Sequence, residues 1–178
     1  MVKDGAFLGP LELFDGRWGV GDITRAATHS VELRPDGFYQ RAPDSEGQLV
    51  PWPRIMTGVW FTWGKHSWNP NSRGRYTLRG TVAGHAGGWM HLTLRDPYED
   101  HPLRFDQHAR PYRAVDVLRL EHLLRHLADE GTLHLLGDPE WVGRAVENLA
   151  GGPNRWITSR SLRRAATEAV TAAGPGTP

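Results

Sequence analysis

Residues Val50–Trp68 read VPWPRIMTGVWFTWGKHSW and carry four of the chain's eight tryptophans. Within them Ile55, Thr57, Val59, Phe61 and Trp63 occupy every second position, with Met56, Gly58, Trp60 and Thr62 between. Successive side chains of an extended strand point to opposite faces, so this spacing predicts one strand with an apolar core face. Trp52, at a strand end, and Trp63 then serve packing. Trp60 stands on the other face, which is wet in a sheet covered on one side only. An exposed indole there marks a partner surface. Coverage by the N-terminal or C-terminal segment would instead make it core.

Neighbouring segments supply further strands. In HSVELRPDGFYQRAP a Pro35-Asp36-Gly37 turn separates Val31–Leu33 from Phe38–Gln40, a hairpin pattern. Gln48–Trp52 is a further strand, and Gly64–Arg75 (GKHSWNPNSRGR) reads as an exposed loop. Tyr76–Val82 and Trp89–Arg95, joined through AGHAGG, form a second hairpin with Met90, Leu92 and Leu94 inward. PLRFDQH adds one short strand. The first thirty residues hold Gly5, Gly9, Gly16, Gly19 and Gly21 and leave room for at most a short strand at Leu11–Phe14.

From Tyr112 the apolar period changes from two to 3.6. Val117, Leu120, Leu124 and Leu127, flanked by Ala114, Leu118 and Leu123, make the stripe of an amphipathic helix over Tyr112–Glu130, ended by Gly131. A second helix starts with Asp138 as N-cap and Pro139 at its first position. It buries Trp141, Val142, Ala145, Val146 and Leu149 and stops at Gly151 and Gly152. Beyond Pro153 a short basic helix with a loose end is expected. The reading is therefore an α+β fold: a bent antiparallel sheet or partial barrel of about seven strands, capped by a C-terminal amphipathic helix, with a small helical extension. Its parts are a lead-in (1–30), the sheet and capping helix (31–131), a second helix (132–152) and a basic tail (153–178).

Composition narrows the function. A chain of 178 residues is usually one domain, and its 10% aromatic content offsets a modest 39% hydrophobic fraction in building a core. Twenty-one basic against twenty acidic residues leave a net charge of +1, no global field for nucleic acid or an anionic membrane. Without cysteine there is no disulfide, thiolate nucleophile or cysteine zinc site. No signal peptide and no apolar run long enough for a bilayer are seen, so a cytoplasmic location is expected.

This order of short strands and one long helix, with the corner GQLVPWPRI (Gly47–Ile55) midway, resembles a bacterial pleckstrin-homology-like domain over about residues 31–130. The resemblance implies a strongly bent antiparallel sheet closed at one end by the helix. It implies as ligand a phosphorylated lipid headgroup or a protein segment, the protein being favoured for bacterial members.

The residues themselves offer several constellations. Trp60 and Trp68, with Trp18 as a further candidate, are the surface aromatics. Lys65, His66, Arg73 and Arg75 bracket Trp68 and combine cations with an aromatic, as anion-binding loops do. His122 and His126 lie one helical turn apart, but two ligands do not make a metal site, and the zinc-protease order is not met. Asp96, Glu99, Asp100, His101, Asp106 and His108 could serve a small metal-dependent or acid–base enzyme, or simply solvate a turn. Arg160, Arg163 and Arg164 could meet a partner or an anionic surface. No nucleophile elbow or phosphate loop occurs. A non-enzymatic protein-binding module is the favoured expectation, with no catalytic residue, metal or cofactor. An acid–base enzyme and an anionic membrane-surface adaptor are the alternatives.

Overall fold

The computed structural model describes residues 5–25, 27–63, 81–82, 87–150 and 158–176. Six strands form an antiparallel meander in chain order: β1 (Phe7–Leu8), β2 (Leu11–Phe14), β3 (Arg17–Val20), β4 (Ser30–Arg34), β5 (Gly37–Ala42) and β6 (Ser45–Pro51). Then come β7 (Ile55–Trp63), β8 (Thr81–Val82), β9 (Gly88–Leu94), β10 (Glu99–Phe105) and β11 (Tyr112–Arg113). They make a second sheet in the order β10–β9–β7 and a small β11–β8 pair, so the expected second hairpin does not form: β9 is hydrogen-bonded on both sides by β7 and β10, and Thr81–Val82 pairs instead with Tyr112–Arg113. Three helices complete the chain: α1 (Ala114–Asp129), α2 (Pro139–Ala150) and α3 (Ser159–Ala173). This is the expected α+β class, with a bent antiparallel framework capped by a helix and no closed barrel among the described residues.

The tryptophan corner turns the chain from one sheet to the next. Pro51 and Pro53 flank Trp52 in a single 3₁₀ turn, and the Trp52 indole N–H donates to the Pro35 carbonyl at 3.0 Å. Its ring meets Phe38 edge-on at 4.7 Å, so the corner is pinned to the preceding hairpin. Gly37 is required here by proximity. A Cβ at that position would collide with the Val50 carbonyl of the paired strand.

The opening thirty residues differ from expectation. They contain three strands, where the sequence reading allowed at most one, and these are continuous with the main sheet. Strands of two to four residues carry too few alternations to declare themselves by period. The Asp15-Gly16 turn, with φ of 51° and 71°, is the hairpin signal that does. Trp18 lies on β3 at 1% exposure, its indole N–H donating to the Pro139 carbonyl at 2.9 Å. It belongs to the core, not to the surface as expected.

α1 buries Val117, Leu120, Leu123, Leu124 and Leu127 to 2% exposure or less. At roughly 1.5–3 kcal/mol per large apolar side chain, this stripe is a principal tie between helix and sheet. The helix also completes the sheet edge. β7 pairs with β9 on one side. On the other, its Phe61 N–H donates to the Glu121 carboxylate at 2.8 Å, and its Val59 carbonyl accepts from Arg125 Nε at 2.9 Å. Two side chains of α1 thus stand where another strand would, blunting an edge open to pairing. Gly131, at φ 68°, ends the helical stretch as expected.

Asp138 Oδ1 accepts from the Glu140 and Trp141 N–H groups and starts α2, whose Trp141, Val142, Ala145, Val146 and Leu149 are buried. The basic helix α3 is longer than expected, at 15 residues, and begins in a capping box between Thr158 and Ser161. Leu162, Ala166, Ala169 and Ala173 are its buried face. Trp141 and Arg144 donate to the Gly174 and Ala173 carbonyls at 2.8 and 2.9 Å and fasten its end. Among the described residues no helix is long and apolar enough to cross a membrane.

Candidate functional site

The β10–β9–β7 sheet has two chemically different faces. Val59, Phe61, Met90, Leu92, Leu94, Leu103 and Phe105 are buried and point to the core. Residues directly opposite in an antiparallel pair share a face. On the other face Trp60, His91 and Pro102 therefore form one row, with Thr62, Trp89 and Arg104 beside it and Thr57, Thr93 and Asp100 beyond.

Thr57 was expected in the core, but it pairs with Thr93 and is half-buried. Irregularities in the pairing lie between Ile55 and Thr57 and between Thr57 and Trp60. Each extra residue inverts side-chain parity. The first turns Thr57 outward, and the second restores the expected phase for Val59, Trp60 and Phe61. Trp60 is on the outer face, as expected, yet it is half-buried and stacked flat on His91, with ring centroids 5.0 Å apart and planes 1° from parallel. The Thr62 hydroxyl meets His91 Nε2 at 2.8 Å, so His91 is fixed both through its ring face and through its ring edge.

Two further groups distinguish this surface. Trp89 Nε1 and Arg104 Nε are shielded from water and have no acceptor among the described residues, although their residues are half-buried and adjacent in register. A shielded N–H without an acceptor costs about 1–3 kcal/mol. The face thus joins two indoles, an imidazole and a guanidinium, with donor capacity left unused. The outward positions of β9 could have been read as the complement of Met90, Leu92 and Leu94. Their unsatisfied donors have no local sequence signature. Of the other expected surface residues, Lys65, His66, Trp68, Arg73 and Arg75 lie outside the described residues.

The Asp96–His108 groups do not converge. Asp96 sits in the β9–β10 turn at φ 55°, and Glu99 lies 3.6 Å from Arg54. Asp106 accepts from the His29 backbone N–H at 2.9 Å. His108 turns inward, its Nε2 against the Glu12 carboxylate and its Nδ1 2.7 Å from the Tyr112 hydroxyl. A neutral imidazole suits this setting, with the Tyr112 hydroxyl donating to Nδ1 and Nε2 held close to the Glu12 carboxylate. Burial and the nearby Arg110 hold the His108 imidazole below its ordinary pKa, against the pull of Glu12 and Asp22. Burial also pushes the Tyr112 phenol upward. Arg110 donates to the Gly9 carbonyl at 2.9 Å and lies 3.9 Å above the Phe7 ring. This network fastens the β1–β2 hairpin to the strand leading into α1. His122 Nδ1 engages the Leu118 carbonyl at 2.9 Å, and no group of three or more potential metal ligands occurs among the described residues.

Compared with protein-family models, curated proteins and solved structures, the chain matches none of them.

Proposed function

We propose that the chain is a non-enzymatic, cytoplasmic binding module of pleckstrin-homology-like type that holds a segment of a partner protein against the outer face of the β10–β9–β7 sheet. The observation that carries this reading is the pair of acceptorless donors, Trp89 Nε1 and Arg104 Nε, beside the Trp60–His91 stack. A partner strand or loop brings carbonyl and carboxylate oxygens, and single-rotamer changes of half-buried side chains are common when interfaces form. Each acceptor gained removes a cost already present in the free protein. Trp60 supplies apolar contact area, and tryptophan and arginine are the residues most enriched among interface anchors.

The test is photocrosslinking from a benzophenone amino acid placed at exposed Asp100, on the same face. A discrete protein adduct is expected, and it should be lost in Trp60→Ala and weakened in Arg104→Gln. An adduct indifferent to both changes would sink the reading. Salt-sensitive binding to anionic vesicles without any protein adduct would favour the lipid-surface alternative.

A further inference from the structure

A second feature lies away from that face, where the tryptophan corner meets the end of α1. A cleft of about 330 Å³ opens there, floored by Trp52, Ile55, Ala128 and Leu133 and rimmed by Arg95 and His134. Its floor is preformed. Trp52 is 7% exposed with its only donor committed to the Pro35 carbonyl, so it offers the cleft apolar surface alone. Ile55 and Leu133 are at 3% and 4%. Both rim residues are exposed. Among the described residues the Arg95 side chain reaches the Ile55 carbonyl alone, at 3.5 Å, and meets no carboxylate, and His134 has no side-chain partner. No acidic side chain among the described residues lines the cleft.

We propose that this cleft is a binding site for a small monocarboxylic acid with an apolar body, such as an aromatic ring or short aliphatic chain. The volume lies at the lower end of that of small-molecule pockets, which suits a ring or a short chain rather than a large cofactor. The apolar body rests on Trp52, Ile55 and Leu133. One guanidinium offers a paired fork that matches a carboxylate in geometry and charge, and the His134 ring edge adds a second polar contact. The absence of a competing acid on the rim leaves the Arg95 fork available. The ligand site is independent of the outer sheet face, since the two share no residue.

The experiment titrates the whole chain with 3-phenylpropionate and with 3-phenylpropionamide, its uncharged analogue. It is followed by melting temperature and by the indole N–H resonance of Trp52, assigned through Trp52→Phe. At ten times the dissociation constant the acid should raise the melting temperature by about 3–6 °C. The amide should bind at least tenfold more weakly. Arg95→Gln, an exposed change that leaves the floor intact, should remove that discrimination, and Trp60→Ala should leave it untouched. No shift of the Trp52 resonance at millimolar acid, or equal binding of acid and amide, would overturn the proposal. Acid binding unchanged in Arg95→Gln would do the same. A phenylalanine-ended peptide that binds tenfold tighter than the acid would overturn the small-molecule assignment.

Discussion

Replacing Glu121 tests whether α1 serves as the missing edge of the second sheet. Its carboxylate, with a side chain 10% exposed, accepts from the Phe61 N–H at 2.8 Å and lies 3.9 Å from Arg125. Glu121→Ala removes a charge-assisted hydrogen bond and leaves the Phe61 N–H without its acceptor, a loss of about 2–3 kcal/mol. Glu121→Gln keeps an acceptor oxygen at nearly the same place and should cost under about 1 kcal/mol at neutral pH. Burial raises the Glu121 pKa above its ordinary 4.5, while the Phe61 N–H and Arg125 pull the other way. The folded protein therefore holds this proton more tightly than the unfolded chain does. The stability linked to it is fully present below pH 4.5 and is lost as pH rises through the folded pKa. Glutamine removes that dependence, so the stability of Glu121→Gln relative to wild type should improve across the same window. Urea denaturation at several pH values from 4 to 7 measures both effects. An alanine variant that costs less than about 0.5 kcal/mol, or a Gln-to-wild-type difference flat with pH, would refute the edge-completion argument.

Other perturbations test separate parts of the molecule. Trp18→Ala should destabilise by about 3–5 kcal/mol in chemical denaturation, since it empties a core site and removes the indole donor to the Pro139 carbonyl. Trp60→Ala should cost only about 1–2 kcal/mol, because a half-buried stack is lost and no core volume; a loss matching that of Trp18 would place Trp60 in the core. Burial lowers the His108 pKa below its ordinary 6.5, so the stability it contributes is present above that pH and lost as pH falls through the folded pKa. His108→Gln should flatten that acid limb, as melting temperatures from pH 7 to 5 will show. Gly37→Ala should cost at least about 1–3 kcal/mol by forcing β5 away from the Val50 carbonyl, seen as an earlier thermal transition.

Much of the architecture was legible because its signals are local. The α1 stripe, the Asp138-Pro139 start of α2, the Pro35-Asp36 turn and the inward residues of β9 each depend on side-chain spacing within one element. The candidate face was legible only in part. Trp60 falls on the outer side as strand alternation requires, but its stacking partner His91 is 31 positions away and carries no local signal of that contact. The network of Glu12, His108 and Tyr112 was also hidden, because β2 and the approach to β11 meet only through folding.

By itself the sequence determined the elements whose periodicity spans several residues: the tryptophan-rich strand, the hairpin turning at Pro35-Asp36 and the amphipathic helix that caps them. Hydrophobic spacing of two or 3.6 residues fixes which side of a strand or helix avoids water, and that choice needs no knowledge of the partner element. Tertiary structure alone decided that the glycine-rich opening adds three strands to the main sheet and that Trp18 is core. It also turned Thr57 outward and set Glu121 and Arg125 along the edge of β7. Those outcomes depend on register and on contacts between distant segments. A one-residue irregularity inverts a face without changing composition, and a buried polar group is defined by the partner that folding brings to it.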